Sequence, residues 1–377
     1  MSHLPTLEGL GDLEGKNVLV RADFNVPFSG GEIRDELRIK EALPTLKFLV
    51  KNGANVTVCS HLGRPKGTTD PNLSIEPVRK RLRELLPEVH LLENLRFNPG
   101  EENNDPHFVS TLIDGQDLFV NDAFGASHRS HASIVGPPQF LPSAAGRLLE
   151  KEVDVLLGIR QKPRRPFVAL LGGSKVSDKL GVIDALLGVV DKLVIGGGMC
   201  FTFLKAQGNQ IGSSLLEESQ LQYCETLLKS GAPIFLPHDF TTMDSSGQIG
   251  DPSAGGVVRQ MGKNIPDGWM GLDIGPGSAA AFGDVISDSK TVLWNGPMGV
   301  FEDNRFSAGT RHVAQTMAET RSCFTVVGGG DSAAAAKEFG FADDMDHVST
   351  GGGASLELIE KGDLPGIAAL VASPRLM

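Results

Sequence analysis

Residues 172–179 read GGSKVSDK: a glycine pair closes the apolar run Phe167 to Leu171, and Lys175 and Lys179 follow four positions apart. Such a segment can hold phosphate. Glycines lack a Cβ and let backbone N–H groups approach an anion, and a helix starting near Ser174 would turn its positive end and both lysines toward the same place. A surface turn with two solvated lysines has the same local sequence, so the surroundings must decide.

Those surroundings repeat the device. Gly196–Gly198, Gly328–Gly330 and Gly351–Gly353 also close strand-like runs or open helix-like ones. Neither G-x-x-x-x-G-K-[ST] nor a strand-linked G-x-G-x-x-G occurs, so the arrangement is a polyphosphate site without the P-loop or the dinucleotide fingerprint. Asp331 follows the third glycine run. It can hold Mg²⁺ directly or through water, or it can cap a helix. Glu302, after WNGPMGVF, is placed to accept from ribose hydroxyls or is simply a solvated carboxylate.

The first half has different chemistry. Arg21-Ala22-Asp23-Phe24-Asn25 follows one strand-like run, SHLGRP with His61 and Arg64 the next, then ENLRF with Arg96, then NDAFGASHRSHAS with His128, Arg129 and His131. Arg38 opens the first helical pattern. Cations gathered at one sheet edge repel unless an anion sits among them, and the guanidinium fork fits phosphate and carboxylate oxygens. The alternative is a set of isolated ion pairs to neighbours such as Glu93 or Asp122. His128 and His131 lack a third histidine or a cysteine nearby, so an anion suits them better than a metal. Asp23 and Asn25 add acceptors for ligand hydroxyls.

The elements that must carry these residues alternate. Val18–Val20, Val56–Cys59 and Leu118–Val120 are strand-like, with helical spacing over Leu37–Val50 and from Ser74 through Leu86. The rhythm restarts with strand candidates Phe167–Leu171, Leu193–Ile195, Ile234–Leu236, Thr291–Trp294 and Phe324–Val327. The pattern predicts an α/β protein of two halves, each with a parallel sheet covered on both faces, with a connecting helix over 143–160 between them and the boundary near residue 160.

A chain of 377 residues and 40 kDa suits two cores. Its formal charge of −11 argues against general nucleic-acid or anionic-membrane binding. The four cysteines form no C-x-x-C pair, consistent with reduced core residues. No apolar run reaches membrane-span length and no signal pattern opens the chain, so a soluble cytoplasmic protein is expected.

The ordered segments VRADFNVP, RIKEALP, SHLGRP, LLENLRF, NDAFGASHRSHAS, GGSKVSDK, GGGMCFTFLK, GWMGLDIGP, WNGPMGVFE, VVGGGDS and HVSTGGGASLELIEKG, from residue 19 to 362, resemble those of the phosphoglycerate kinase family. The resemblance implies a monomeric glycolytic enzyme of two Rossmann-like three-layer domains with parallel sheets, at 1–160 and 161–362 with a tail at 363–377, joined by the connecting helix and a hinge. It implies phosphoryl transfer between 1,3-bisphosphoglycerate and MgADP, giving 3-phosphoglycerate and MgATP. It implies that Asp23, Phe24, Asn25, Arg38, His61, Leu62, Gly63, Arg64, Arg96 and Arg129 hold phosphoglycerate. Lys175, Lys179, Gly197, Gly271, Asn295, Pro297, Glu302, Gly328, Gly329, Gly330, Asp331 and Ser332 would hold the nucleotide, with Asp331 serving Mg²⁺. Arg38, Lys175 and the amides around Gly352 are assigned to the moving phosphoryl group, which needs positioning and positive charge rather than a covalent nucleophile. The family's final segment packs back on its first domain, so Leu364–Met377 is expected to do so, and domain closure would bring the ligands together and expel water. Departures are Ser332 for the usual threonine, Ala126-Ser127 for Thr-Ala, a small GPGSAA segment and a short chain. Rival readings are another acyl-phosphate kinase and an inactive phosphometabolite-binding protein.

Overall fold

The computed structural model describes residues 4–29 and 32–375. Contacts divide the chain into two units, with divisions after Leu156 and after Glu360.

In the first unit, β1 (Asn17–Ala22), β2 (Asn55–Cys59), β3 (His90–Leu91), β4 (Leu118–Asp122) and β5 (Ser143–Ala145) lie in the order β3-β2-β1-β4-β5, all pairs parallel. Its helices are α1 (Leu37–Lys51), α2 (Glu76–Leu85), α3 (Pro99–Glu102), α4 (Pro106–Ile113), α5 (Ala132–Val135) and the start of α6 (Arg147–Gln161). The unbroken apolar run of β1 is buried on both faces, which is why it carries no polar alternation. Val20 and Val58 pack with Leu46 and Leu49 of α1 and Val78 and Leu82 of α2 in one core.

The second unit repeats the plan. There β6 (Phe167–Leu171), β7 (Lys192–Ile195), β8 (Ile234–Phe235), β12 (Thr291–Asn295), β13 (Phe324–Val327) and β14 (His347–Val348) form a parallel sheet ordered β8-β7-β6-β12-β13-β14. Between β8 and β12 the chain adds an antiparallel sheet, β9 (Asp239–Asp244), β10 (Val258–Gly262) and β11 (Trp269–Ile274), with β9 in the middle. The helices are α7 (Leu180–Leu187), α8 (Cys200–Ala206), α9 (Leu221–Lys229), α10 (Pro276–Ser287), α11 (Ala308–Glu319), α12 (Gly330–Glu338) and α13 (Gly352–Lys361). Trp294, fully buried, centres the core with Val168, Val292, Ile286 and Val313.

Both parallel sheets are doubly wound, and the strand order reverses beside β1 in the first and beside β6 in the second. Loops leaving adjacent strands diverge there, which opens a crevice at the carboxyl edge.

Four sequence expectations change. Residues 143–145 are a strand, not the first turn of the connecting helix: Ser143–Ala145 pairs with Phe119–Asn121, and α6 starts at Arg147. No helix starts at Ser174; α7 starts at Leu180 after a short 3₁₀ turn, Ser177–Lys179. The loop is instead held by Glu217, whose carboxylate accepts from Val176 N (2.5 Å), Ser177 N (3.1 Å) and Ser177 Oγ (2.6 Å). Strand β8 stops at Phe235. The antiparallel sheet has no counterpart in the expected all-parallel plan, because β10 is short and exposed and carries little apolar signal.

The expected returning tail contains α14 (Pro365–Val371), which buries Ile367 and Leu370 and donates from Gly366 N to Ser127 O (2.9 Å). Leu376 and Met377 lie outside the described residues. All four cysteines are buried and free.

Candidate active site

At the carboxyl edge of the first sheet, β1 delivers Asp23 and Asn25, β2 delivers His61, Gly63 and Arg64, the turn after β3 delivers Arg96, and the loop after β4 delivers Arg129. Arg38 Nη1, from the first turn of α1, donates to Asp23 Oδ2 (3.0 Å) and to the Asn25 carbonyl (3.1 Å). Asn25 Oδ1 accepts from Gly63 N (2.9 Å), and Arg96 Nη1 donates to Gly63 O (2.7 Å). Gly63 has φ +61, a conformation glycine adopts without strain. Asn94 grips the same loop, accepting from Leu62 N (3.1 Å) and donating to Leu62 O (2.8 Å).

Not every expected residue offers its side chain. Phe24 is fully buried and its N–H already donates to Ser60 Oγ (2.8 Å), while Leu62 is also core. Arg64 is exposed and Arg129 half-buried. Isolated pairing with Glu93 or Asp122 is not what the arginines do. Glu93 faces Arg79 (3.7 Å) and accepts from Ile75 N (2.8 Å), and Asp122 accepts from Leu148 N (2.9 Å) at the start of α6.

The charges interact as a cluster. Burial would raise the Asp23 pKa, but Arg38, His61 and Arg21 outweigh it and hold the carboxyl below its ordinary value. Burial pushes His61 well below the usual imidazole range, with Arg21, Arg96 and Arg38 adding to it against Asp23. His131 falls to about 4 through burial and then Arg96, Arg21 and Arg129. Arg96 is lowered by burial and by Arg21 and Arg129, with Glu102 opposing. The imidazoles are thus held neutral first by burial and then by the guanidiniums around them. Arg96 Nε lies 3.1 Å from Glu102 Oε1, yet the nitrogen makes no aligned hydrogen bond.

In the second unit, two clefts meet. One, of about 410 Å³, is lined by Gly197, Phe201, Leu215, Gly271, Pro297 and Glu302 among others. The other, of about 300 Å³, is lined by Lys175, Lys179, Asn295, Gly329, Gly330, Asp331, Ser332 and Gly352 among others. Gly173, Ser174 and Asp331 belong to both. The first is apolar enough for a flat base; the second is glycine and lysine. Gly328 lines neither, but its carbonyl accepts from Asn295 Nδ2.

Its floor is tightly packed main chain. Gly172 N donates to Asn295 O (2.9 Å) and Gly173 N to Pro297 O (3.0 Å). A Cβ on Gly172 would lie 2.0 Å from Pro297 O, and one on Gly197 2.5 Å from Gly173 N. A Cβ on Gly330 would meet nothing within 4 Å. Lys179 Nζ reaches Asn295 Oδ1, and burial brings its pKa down to about 8 although Asp331 and Asp178 pull the other way. Ser332 Oγ accepts from Gly296 N (2.5 Å), so it supports the floor. Asp331 is exposed in the first turn of α12, whose N-cap is Gly329; it does not cap the helix.

Sequence reasoning left out Glu217, Asn94, Phe201 and Leu215, and it left Arg21 without an assigned role. Asn94, Phe201 and Arg21 sit inside the LLENLRF, GGGMCFTFLK and VRADFNVP segments; Leu215 and Glu217 lie outside all of them, and Glu217 acts on Val176 and Ser177, 41 and 40 positions away, which no local spacing reveals.

The phosphoglycerate kinase family model matches residues 8–90 and 87–362. The phosphoglycerate kinase of Rubrobacter xylanophilus is 50% identical over 384 residues, covering 95% of this chain and 96% of the relative. The cytosolic phosphoglycerate kinase 3 of Arabidopsis thaliana is 48% identical, again covering 95% of this chain and 96% of the relative. Among solved structures, the phosphoglycerate kinase of Coxiella burnetii superposes with a TM-score of 0.87 at 35% identity, covering 98% of this chain and 99% of that one. That of Pyrococcus horikoshii superposes with a TM-score of 0.84 at 28% identity, covering 97% and 98%. With a doubly wound sheet in each unit, an arginine-rich edge on one and a glycine-floored cleft on the other, the chain belongs to the phosphoglycerate kinase family.

Proposed function

We propose that the arginine-rich edge of the first unit takes the phosphoglycerate and the joined clefts of the second take MgATP or MgADP, so that the family's glycolytic phosphotransferase reaction runs between them. The observation that carries this reading is the junction of the two clefts at Gly173, Ser174 and Asp331. A base in the apolar cleft has its polyphosphate in the glycine-lined one, with Lys175 and Lys179 beside it. Arg38, Arg96, Arg129 and His61 hold the carboxylate and phosphate of phosphoglycerate, with Asp23 and Asn25 for its hydroxyl.

Asp331 suits Mg²⁺. Among the described residues no group of three or more His, Cys, Asp or Glu side chains could hold a metal; Asp331, with Asp178 lining the same cleft, offers the one or two carboxylates this ion uses when phosphate oxygens and water complete its shell. Bound there, it would neutralise phosphate charge. Lys175 and Arg38 shield the phosphoryl group in flight, and the Gly352 amide, at the start of α13 and lining the same cleft, assists. Transfer between ligands held by different units requires those ligands to meet, and a closing change that excludes water is part of the proposal.

A monomeric cytoplasmic protein fits the reading. Among the described residues no helix is long and apolar enough to cross a membrane. The test is a coupled assay of ATP-dependent 1,3-bisphosphoglycerate formation from 3-phosphoglycerate, with and without Mg²⁺ and with acetate as rival acceptor. Turnover that depends on 3-phosphoglycerate and Mg²⁺ supports it; equal turnover with acetate refutes it.

A further inference from the structure

Beneath the arginine-rich edge lies a buried chain of polar groups that the reading above leaves unused. Glu101, in α3, is fully buried, as are Ser133 in α5 and Arg21 in β1. Ser133 N donates to Glu101 Oε2 (3.0 Å) and Ser133 Oγ to Glu101 Oε1 (2.6 Å). Ser133 Oγ in turn accepts from Arg21 Nε (2.7 Å), and Arg21 Nη2 lies 3.0 Å from His61 Nδ1. The carboxylate itself stands 3.9 Å from Arg21 Nη2 and 3.8 Å from His131 Nδ1.

The direction of each hydrogen bond follows from what the groups can do. A guanidinium has donors only, so His61 Nδ1 accepts, and the proton of the neutral ring belongs on Nε2. An ionised carboxylate accepts only, so the Ser133 hydroxyl proton points at Glu101 and its lone pair is left for Arg21. One negative charge thus orients a serine, the serine orients an arginine, and the arginine selects the histidine tautomer. A carboxylate that served only to balance Arg21 would meet the guanidinium directly, in the two-pronged contact these groups favour. Here the serine stands between them.

We infer that Glu101 is a positioning residue for the phosphoglycerate edge, acting through Ser133 and Arg21 to keep the His61 proton on Nε2, where it can donate to the bound anion. The inference rests on the reading of that edge as the phosphoglycerate site.

Two measurements test it on the full chain. First, ¹⁵N-histidine NMR without ligand should find His61 neutral and protonated on Nε2, and Glu101→Gln should lose that single tautomer; a wild-type ring protonated on Nδ1 overturns the inference. Second, Glu101→Gln should raise KM for 3-phosphoglycerate about ten-fold or more, the scale of a lost charge-assisted hydrogen bond, with KM for MgATP held within about two-fold. Unchanged KM for 3-phosphoglycerate overturns the inference, and so does a parallel rise in both KM values with a lower melting temperature. Ser133→Ala keeps the charge and breaks the tie, so it tests the same point should Glu101→Gln fail to fold. It should shift KM for 3-phosphoglycerate in the same direction by a smaller factor, and the double variant should be no worse than Glu101→Gln alone. If 3-phosphoglycerate leaves the His61 signals of the active wild type unmoved, the site reading itself falls and this inference falls with it.

Discussion

At the carboxyl edge of β1 to β4 the groups available to an anion are side chains, guanidiniums and imidazoles whose proton affinity is lowered by burial and then by the charges crowded around them. At the matching edge of β6, β12 and β13 they are mostly main chain, with glycines packed so closely that a single methyl on Gly172 would strike Pro297 O. The two sheets share a strand order and a switch point. What differs is how charge is delivered. Guanidiniums read the placement of a small ligand's few oxygens, whereas amide-lined loops accept a chain of phosphates along its length.

The comparison can be broken most directly at its cations. Arg38→Ala should lower turnover by at least ~10² to 10³, the scale for removing one preorganised charge stabiliser; steady-state kinetics with near-normal turnover would sink its role. Lys175→Ala should lose turnover on a similar scale, ~10² or more, while folding normally and losing far less nucleotide affinity than turnover. If calorimetry finds the loss in nucleotide affinity alone, the lysine grips phosphate and does not serve transfer.

Next come the glycines, which should separate into two kinds. Gly172→Ala forces backbone apart and should destabilise the ligand-free protein by ~1–3 kcal/mol in denaturant unfolding. Gly330→Ala has open space and begins a helix, so it should leave stability equal or up to ~1 kcal/mol higher. Its methyl would then stand in the glycine-lined cleft and, on the proposed reading, weaken ATP binding about ten-fold, ~1.4 kcal/mol. Equal ATP affinity in the Gly330 variant would remove polyphosphate from that place.

The smallest effect is a proton balance. Lys179 has its pKa lowered from 10.5 to about 8, chiefly by burial. Below pH about 8 the lysine is charged whether the chain is folded or not, and its burial penalty is fully present. Between about 8 and 10.5 the unfolded chain holds the extra proton, so stability rises with pH across that window. Bound polyphosphate favours the charged form, so nucleotide binding near pH 8 to 9 should take up a fraction of a proton. Calorimetry in buffers of different ionisation enthalpy measures it, and Lys179→Met should abolish it.

Much of this was legible in the sequence because the informative residues lie where strands end. The runs around Val18–Val20 and Phe167–Leu171 locate both central strands, and the residues just beyond them form the candidate site. Three kinds of feature escaped. Residues 143–145 read as helix because three small residues carry no period, and only the open β4 edge makes them a strand. The β9–β11 sheet escaped because its exposed edge lacks alternation. Glu101, Ser133 and Glu217 escaped because each acts on a partner that folding alone brings near: Ser133 on Arg21, 112 positions away, and Glu217 on Val176, 41 away.

Asp122, at the end of β4, holds the amides of Leu148 and Leu149 at the start of α6, and Asp273, in β11, holds the amide of Gly309 at the start of α11 (2.7 Å). Both carboxyls are buried, and burial raises each pKa to about 7. Each helix thus borrows its opening from a strand laid down 26 to 36 residues earlier. A helix start with unfilled donors frays. During refolding, α6 and α11 should therefore lock only after their sheets have assembled, and amide exchange at Leu148 and Gly309 should become protected in step with β4 and β11, later than the helix interiors.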